Sequence, residues 1–318
     1  MLTTITHAAM ATEFAVILAE DDAHRVEDAV EALEMLDQIE ADLTVYQPGS
    51  EIARVNASAF EKPVTVSEAT FELLQRSIQW NRRTEGAFDV TAGPLVRAWG
   101  FTERRGRKPT DEEIELACRR VGSQHLALFP EKRQVQFERA GMEINLGAIG
   151  KGFALDRLSA RLLDGGVENF LLHGGASSVL ARGRQSGELE GWLVGIAHPT
   201  KENTRLAGIR LQNEALSTSG SGKQFFHFRG KRFGHVIDPR TGYPAGDLLS
   251  LTAVAENATD AEACSTGYFV EGLEKIQTAA TTDATLPRML GTRPLQRQND
   301  VRVISFAEFD WVDKPRGS

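Results

Sequence analysis

Apolar positions in this chain change period several times, and each change marks an element. Phe14 to Leu18 is a short β-type run that follows Met10-Ala-Thr-Glu. Val26, Val30, Leu33, Leu36 and Ile39 then recur every three or four residues, the spacing of one helix face, with Asp21 and Asp22 offering N-caps. Pro48 and Gly49 force a turn just after Tyr46. Ser67 opens a second helix with Phe71, Leu74 and Ile78 on one side, and Asp111 caps a short one running to Val121. Two alternating segments, Gln124 to Phe129 and Gln134 to Glu138, precede the stretch Ile144-Asn-Leu-Gly-Ala-Ile-Gly-Lys-Gly-Phe-Ala-Leu-Asp-Arg. Past Gly147 the period passes from two to three or four through Phe153, Leu155, Leu158 and Leu162, so a strand is expected to run into a helix through a glycine turn. Further strands are expected at Asn169 to His173, Ser178 to Ala181, Trp192 to Ala197 and Ile209 to Gln212. A last one, Leu251 to Ala255, leads to a helix carrying Glu262 and Thr266. Polar, glycine-rich turns are expected from Ala215 to Lys223 and from Phe233 to Pro244. The pattern predicts an α+β chain with a continuous, largely antiparallel sheet. No repeat, low-complexity tract or linker divides residues 1–318, so one domain is expected.

Composition narrows the function classes. With 318 residues and 41% hydrophobic content a large core can form. The net charge of -8 and the scattering of Lys and Arg among acids argue against nucleic acid as the main partner. Arg104, Arg105, Arg107 and Lys108 read as part of a solvated, mobile loop from Glu103 to Thr110, the most polar segment. Cys118 and Cys264 stand far apart with no second thiol or histidine cluster, so they are expected to be small buried hydrophobes, with neither a disulfide nor a zinc site. No apolar run approaches the roughly 20 residues needed to span a bilayer. The N-terminus lacks a basic stretch followed by an apolar core, so a cytoplasmic location is expected, or a periplasmic one for a truncated form.

Three features carry candidate chemistry. Gly147, Gly150 and Gly152 let a ligand approach the backbone, and Lys151 with the first helical amides would suit a phosphate; equally, the glycines could serve tight helix packing. The spacing is neither a P-loop nor a Rossmann fingerprint, and Gly220-Ser-Gly-Lys lacks the rest of a Walker loop. Tyr46 reads as a core residue on spacing, with an aromatic ligand as the alternative. Glu262 and Thr266 are four apart, on one helix face, and would offer Mg²⁺ hard oxygen donors; a solvated face or buried hydroxyl is the plainer explanation.

Taken in order, Met10-Ala-Thr-Glu-Phe, Leu43-Thr-Val-Tyr with Ser50-Glu-Ile-Ala-Arg-Val-Asn, Gly86-Ala-Phe-Asp-Val-Thr-Ala-Gly-Pro-Leu-Val with Trp99-Gly-Phe, Gly174-Gly175, Thr218-Ser219-Gly220 and His235-Val-Ile-Asp-Pro-Arg-Thr-Gly-Tyr-Pro resemble the motifs of the FAD:protein FMN transferase (ApbE) family. The likeness runs from Met10 to about Gly272. It implies two tunnelling-fold-like halves sharing a sheet, with FAD in the cleft between them. It places Met10, Tyr46, Ala87, Phe88, Asp89, Asn145, Lys151 and Val236 at FAD contacts, and Ala148, Glu262 and Thr266 at a Mg²⁺ site. The implied reaction moves FMN from FAD to a Thr or Ser hydroxyl of an acceptor protein and releases AMP. His235 is the expected general base, fixed by the Asp238-Pro239 turn.

Two residues depart from the family pattern. Asn145 stands for an aspartate and can donate as well as accept. Glu262 stands for a metal-binding aspartate, and its carboxylate lies one methylene further out, by roughly the 1.5 Å of a C–C bond, where Mg²⁺ asks for strict octahedral distances. An FAD pyrophosphatase yielding FMN and AMP, and a flavin-binding homologue with weakened catalysis, are the alternatives.

Overall fold

The computed structural model describes residues 1–102, 106–187, 190–221, 225–295 and 300–315, with Lys231 described for its backbone only. In chain order, β1 (Thr3–Ala9) and β2 (Thr12–Leu18) precede α1 (Val26–Leu43), α2 (Glu51–Ser58), β3 (Val64–Thr65), α3 (Glu68–Arg83), α4 (Gly93–Ala98) and α5 (Asp111–Cys118). Next come β4 (Leu126–Phe129), β5 (Gln134–Phe137), α6 (Gly150–Asp164), β6 (Phe170–Gly174), β7 (Ser178–Arg182), β8 (Trp192–Ala197), β9 (Arg205–Leu211) and β10 (Ala215–Gly220). The chain closes with β11 (Phe225–Phe228), β12 (Lys231–Gly234), β13 (Ser250–Ala255), α7 (Ala258–Glu271), α8 (Leu273–Thr282), β14 (Arg288–Pro294), β15 (Val301–Ser305) and β16 (Trp311–Asp313).

Eight strands form a central sheet in the order β1-β2-β6-β7-β10-β13-β14-β15, antiparallel at every pairing. The α+β, antiparallel expectation holds. Its continuity does not: β8 and β9 leave the sheet and pair with β16 in a separate three-stranded sheet. That layer covers one face of the central sheet through Trp192, Ile209, Leu216, Val254 and Leu290. On the other face, α1 and α6 bury Leu33, Leu36, Leu155 and Leu158 against Phe14, Phe170 and Leu180. Neighbouring residues of β10 divide between the layers, Ala215 to the helices and Leu216 to the small sheet, as strand alternation requires. No helix among the described residues is long and apolar enough to cross a membrane.

Several local expectations need correction. Ala215 to Gly220 is a central strand and not a turn, while Gly222 and Lys223 fall outside the described residues. Its hydroxyls look turn-like in sequence but find partners across the sheet: Thr218 Oγ1 lies 2.8 Å from Thr252 Oγ1. Ala255 does not end the last strand, since β14 to β16 follow α7 and α8. Asp21 and Asp22 lie in a 3-10 turn; the buried Asp22 carboxylate accepts from the Asn169 backbone and side-chain amides, both at 2.9 Å, so it pins the entry to β6 and leaves α1 uncapped. Val26 and Val30 face outward, and Ala29 and Ala32 fill the helix–sheet contact in their place.

Helix α5 ends at Cys118, short of Val121, and its cap is Thr110 in a capping box with Glu113, not Asp111. Thr110→Ala should therefore cost about 1 kcal/mol in urea unfolding. The expected mobile loop lies partly outside the described residues. Its described part is anchored, because the Arg107 amide donates to Trp99 O at 3.0 Å. Cys264 is buried with its thiol pushed up by desolvation, and Cys118 is half-buried.

Ile144 to Leu146 makes no strand. The residue before it, Glu143, forms an isolated bridge with Ala92. The Asn56 side chain takes over the role of a neighbouring strand, accepting from Ile144 N at 2.7 Å and donating to Ile144 O at 2.9 Å.

Candidate functional site around two helix N-termini

Helices α6 and α7 meet at their N-terminal turns, and the sequence explains how closely. A Cβ on Gly152 would lie 2.2 Å from Ala258 O, so only glycine lets the backbones touch there. Two positive helix ends are thereby brought together, and each is met by a carboxylate from the other helix. Asp156 of α6 accepts from Ala258 N at 2.8 Å and Thr259 N at 2.9 Å. Glu262 of α7 accepts from Gly152 N at 2.6 Å and, through its other oxygen, from the Lys151 ammonium. The Glu262 side chain is 4% exposed and that of Lys151 24%. The extra methylene of Glu262 therefore lengthens the arm that spans from α7 to the α6 amide.

This geometry separates the glycines. Gly152 is required by packing. Gly147 and Gly150 are not: a Cβ on Gly150 would meet only Leu146 Cβ at 4.0 Å, and one on Gly147 only the Asn145 side-chain oxygen at 3.0 Å. The anion now facing the α6 N-terminus belongs to the chain itself.

Thr266, one turn after Glu262 on the same face, has its hydroxyl 2.8 Å from Ser219 Oγ on β10; Ser219 Oγ also lies 3.0 Å from Ser265 Oγ. Asp260 belongs elsewhere. Burial would raise its carboxyl, but hydrogen bonds from Arg76, Trp80 and Asn257 hold it below its ordinary value. Among the described residues no three His, Cys, Asp or Glu side chains cluster as a metal site. What is present is one buried carboxylate already matched to a cation, with hydroxyls beside it. Such oxygen donors suit a hard cation, provided Lys151 yields its place.

The other expected residues fall into two groups. Asn145 N donates to Val90 O at 2.7 Å, joining the glycine turn to the loop of Ala87, Phe88 and Asp89, and Asn145 Oδ1 accepts from Gly147 N at 2.9 Å. Ala87 and Phe88 are buried, and Phe88 O accepts from Asn81 Nδ2 at 2.9 Å. Asp89 is consumed by the fold: it accepts from Thr91 N and Oγ1, Ser123 N and Oγ, and Asn81 Nδ2, at 2.6 to 3.0 Å. Met10 sits at the β1–β2 turn with φ 50°, its amide 2.7 Å from a Glu40 oxygen, and Met10, Ala148 and Val236 all pack on the rim of one core cluster.

The second group is aromatic. Tyr46 is 68% exposed, against the expectation of a core ring, because Pro48 and Gly49 turn the chain outward there; its hydroxyl lies 3.4 Å from Thr102 O. Next to Thr102, the Phe101 ring stands edge-on to His235 with centroids 6.4 Å apart. The Asp238 turn forms as expected, with Gly242 N donating to Asp238 O at 2.8 Å. Both oxygens of the Asp238 carboxylate accept from Arg240, at 2.9 and 3.0 Å. Sequence reasoning missed Asp156, Asn56 and Ser219. Each left a trace: Asn56 and Ser219 stand in motifs quoted above, and Asp156 lies four residues after Gly152 as Glu262 lies four after Ala258. Two surface hollows, of about 680 and 270 Å³, are lined by other residues, the second touching α6 at Phe153 and Arg157.

The sequence profile described as the ApbE family matches residues 10–289. This chain belongs to the ApbE family. It is 35% identical over 264 residues to the FAD:protein FMN transferase of Escherichia coli K12, an alignment covering 80% of this chain and 74% of that one. The crystal structure of the ApbE protein of Thermotoga maritima superposes with a TM-score of 0.84 at 28% identity, covering 92% of this chain and 94% of that chain. The flavin transferase ApbE of Vibrio cholerae gives 0.81 at 25%, covering 96% and 97%. The α+β fold with its antiparallel central sheet is thus an ApbE fold, and the paired helix N-termini lie inside the matched region.

Proposed function

We propose that this chain transfers FMN from FAD to a Thr or Ser hydroxyl of an acceptor protein, releasing AMP, and that residues 1–318 act as one unit of two tunnelling-fold-like halves with FAD in the cleft between them. The observation that carries this reading is membership of the ApbE family at 35% identity to a transferase of that activity. The exposed Tyr46 ring offers a face to the isoalloxazine. The backbone of Ala87 to Asp89, with Asn145, Met10 and Val236, completes the FAD surface. The exposed Gly147 leaves the turn ahead of α6 without a side chain, so a pyrophosphate can approach Lys151 there. Lys151 then supplies the positive charge, and His235 takes the proton of the attacking hydroxyl. Ala148 through its carbonyl, Glu262 and Thr266 would hold Mg²⁺, which supplies further neutralisation of phosphate charge when bound.

A second reading, a flavin-binding homologue with weakened catalysis, draws on one observation: Lys151 and Glu262 already neutralise one another. Assay of AMP from FAD and Mg²⁺, with and without a Thr-containing acceptor, separates the readings. A transferase releases AMP in proportion to acceptor. Release independent of acceptor points to a pyrophosphatase, and FAD bound but unchanged points to the weakened homologue.

Two further outcomes are expected. Tyr46→Ala should lower FAD affinity, read by flavin fluorescence, and leave the melting temperature within a degree or so, since an exposed ring adds little to stability. A fall in melting temperature with FAD affinity intact would return the ring to a packing role. Lys151→Met should weaken FAD roughly tenfold at low ionic strength and less at high, because Glu262 is then left facing the pyrophosphate. Equal affinities at both ionic strengths would remove Lys151 from the anion site.

A further inference from the structure

The chain carries a net charge of -8, yet Phe225 to Gly234 reads Phe-Phe-His-Phe-Arg-Gly-Lys-Arg-Phe-Gly, with three cations and no acid. A second basic run, Arg104 to Lys108, has four cations in five positions. The structure places the described part of that run against the β11–β12 hairpin: a Cβ on Gly106 would lie 2.4 Å from the Phe226 ring. Lys108, Arg229 and Arg232 are exposed there, while Glu113 partly offsets Arg107 at 2.8 and 2.9 Å.

The hairpin has two distinct faces. Phe226 and Phe233 stack at 5.5 Å on the inner one and pack on Trp99. On the outer one Phe225 and His227 meet edge to face at 5.4 Å, and the Arg232 guanidinium lies 4.0 Å from the Phe225 ring centre. Among the described residues no third strand joins the pair. His235 follows β12 directly, and Phe101 contacts both Phe226, at 5.9 Å, and His235, at 6.4 Å.

We infer that the β11–β12 hairpin is the docking surface for an acidic, extended segment of the acceptor polypeptide, which it delivers to His235; this rests on the transfer reading above. An open strand edge recognises extended backbone by hydrogen bonding, and flanking cations select carboxylates. Strands of four residues span about 13 Å, too short a cationic track for the many phosphate contacts by which nucleic acids bind. The acidic remainder of the chain repels a long polyanion but not a short peptide.

The test uses two fluorescein-labelled peptides containing one Thr, flanked by Asp and Glu in one and by Lys in the other. Fluorescence anisotropy is read on the wild-type protein and on the triple variant Lys108→Glu, Arg229→Glu, Arg232→Glu. The acidic peptide should bind the wild type at least about tenfold more tightly than the basic one at low salt, and the gap should narrow several-fold at roughly 0.5 M salt. The variant should reverse the preference while FAD binding, read by flavin fluorescence, stays unchanged. Should it fail to fold, the pair Arg229→Gln, Arg232→Gln should still weaken the acidic peptide several-fold. Equal affinity for the two peptides, an unaltered preference in the variants, or tighter binding of a single-stranded oligonucleotide would overturn the docking surface. Absence of FMN transfer with peptide selectivity intact would overturn the transfer reading alone.

Discussion

Glu262→Ala is expected to abolish AMP release and to destabilise the protein together, because the side chain proposed to hold Mg²⁺ also makes the helix contact. Its carboxylate closes the α6 N-terminus through Gly152 N and neutralises Lys151 in a nearly buried setting. Removing one partner of a buried pair typically costs about 3–5 kcal/mol. Here about 2–4 is expected, since Lys151 at 24% exposure can turn to water. Thr266→Val provides the comparison: it removes a hydroxyl bonded to Ser219 at nearly constant volume, so turnover should fall with a change of only about 1 kcal/mol in urea unfolding. If Glu262→Ala lost stability but kept its turnover, the carboxylate would be structural only.

Gly152→Ala should be the most disruptive single-methyl change in the glycine turn. The added Cβ would face Ala258 O at 2.2 Å and Thr259 Cα at 2.9 Å, backbone atoms that no rotamer change can move. Separating α6 from α7 also breaks the exchange of Asp156 and Glu262 between the two helix ends, so a loss of about 3 kcal/mol or more is expected. Gly150→Ala should behave oppositely. Its Cβ meets nothing closer than 4.0 Å, and alanine gains up to about 1 kcal/mol of helix propensity. Melting temperature should hold or rise while FAD affinity falls, if the pyrophosphate comes down on that turn. Equal effects at the two glycines would mean that packing explains both.

The contrast shows what the sequence can and cannot display. Helical faces were legible where large side chains marked them, as in α3 and α6. They were misread in α1, where Ala29 and Ala32 make the contact and two valines point outward. The strand at Ala215 to Gly220 was hidden because Ser and Thr are turn-formers in isolation; backbone pairing with β7 and β13 makes them strand residues, and hydroxyls of β13 and α7 meet their side chains. Glu262 and Thr266 were readable as a pair because helical geometry is local. Their partners were not. That Lys151 lands on Glu262, 111 positions later, is settled by the approach of two helices, and that approach depends on a glycine whose purpose was ambiguous in sequence. The Asp238 turn was readable from its Pro and Gly, but that its carboxylate is taken by Arg240, two residues on, was not. Motif order pointed to the family because it sums many weak local signals, whereas pairing within the site is a long-range property.

Transfer of FMN to a protein hydroxyl is tested most directly by the intact mass of an acceptor after incubation with this protein, FAD and Mg²⁺. The account predicts that the acceptor gains one FMN less one water, that one AMP appears for each FMN attached, and that replacing the acceptor Thr by Ala prevents both. An unmodified acceptor, with FMN and AMP free in solution or FAD recovered intact, would contradict it.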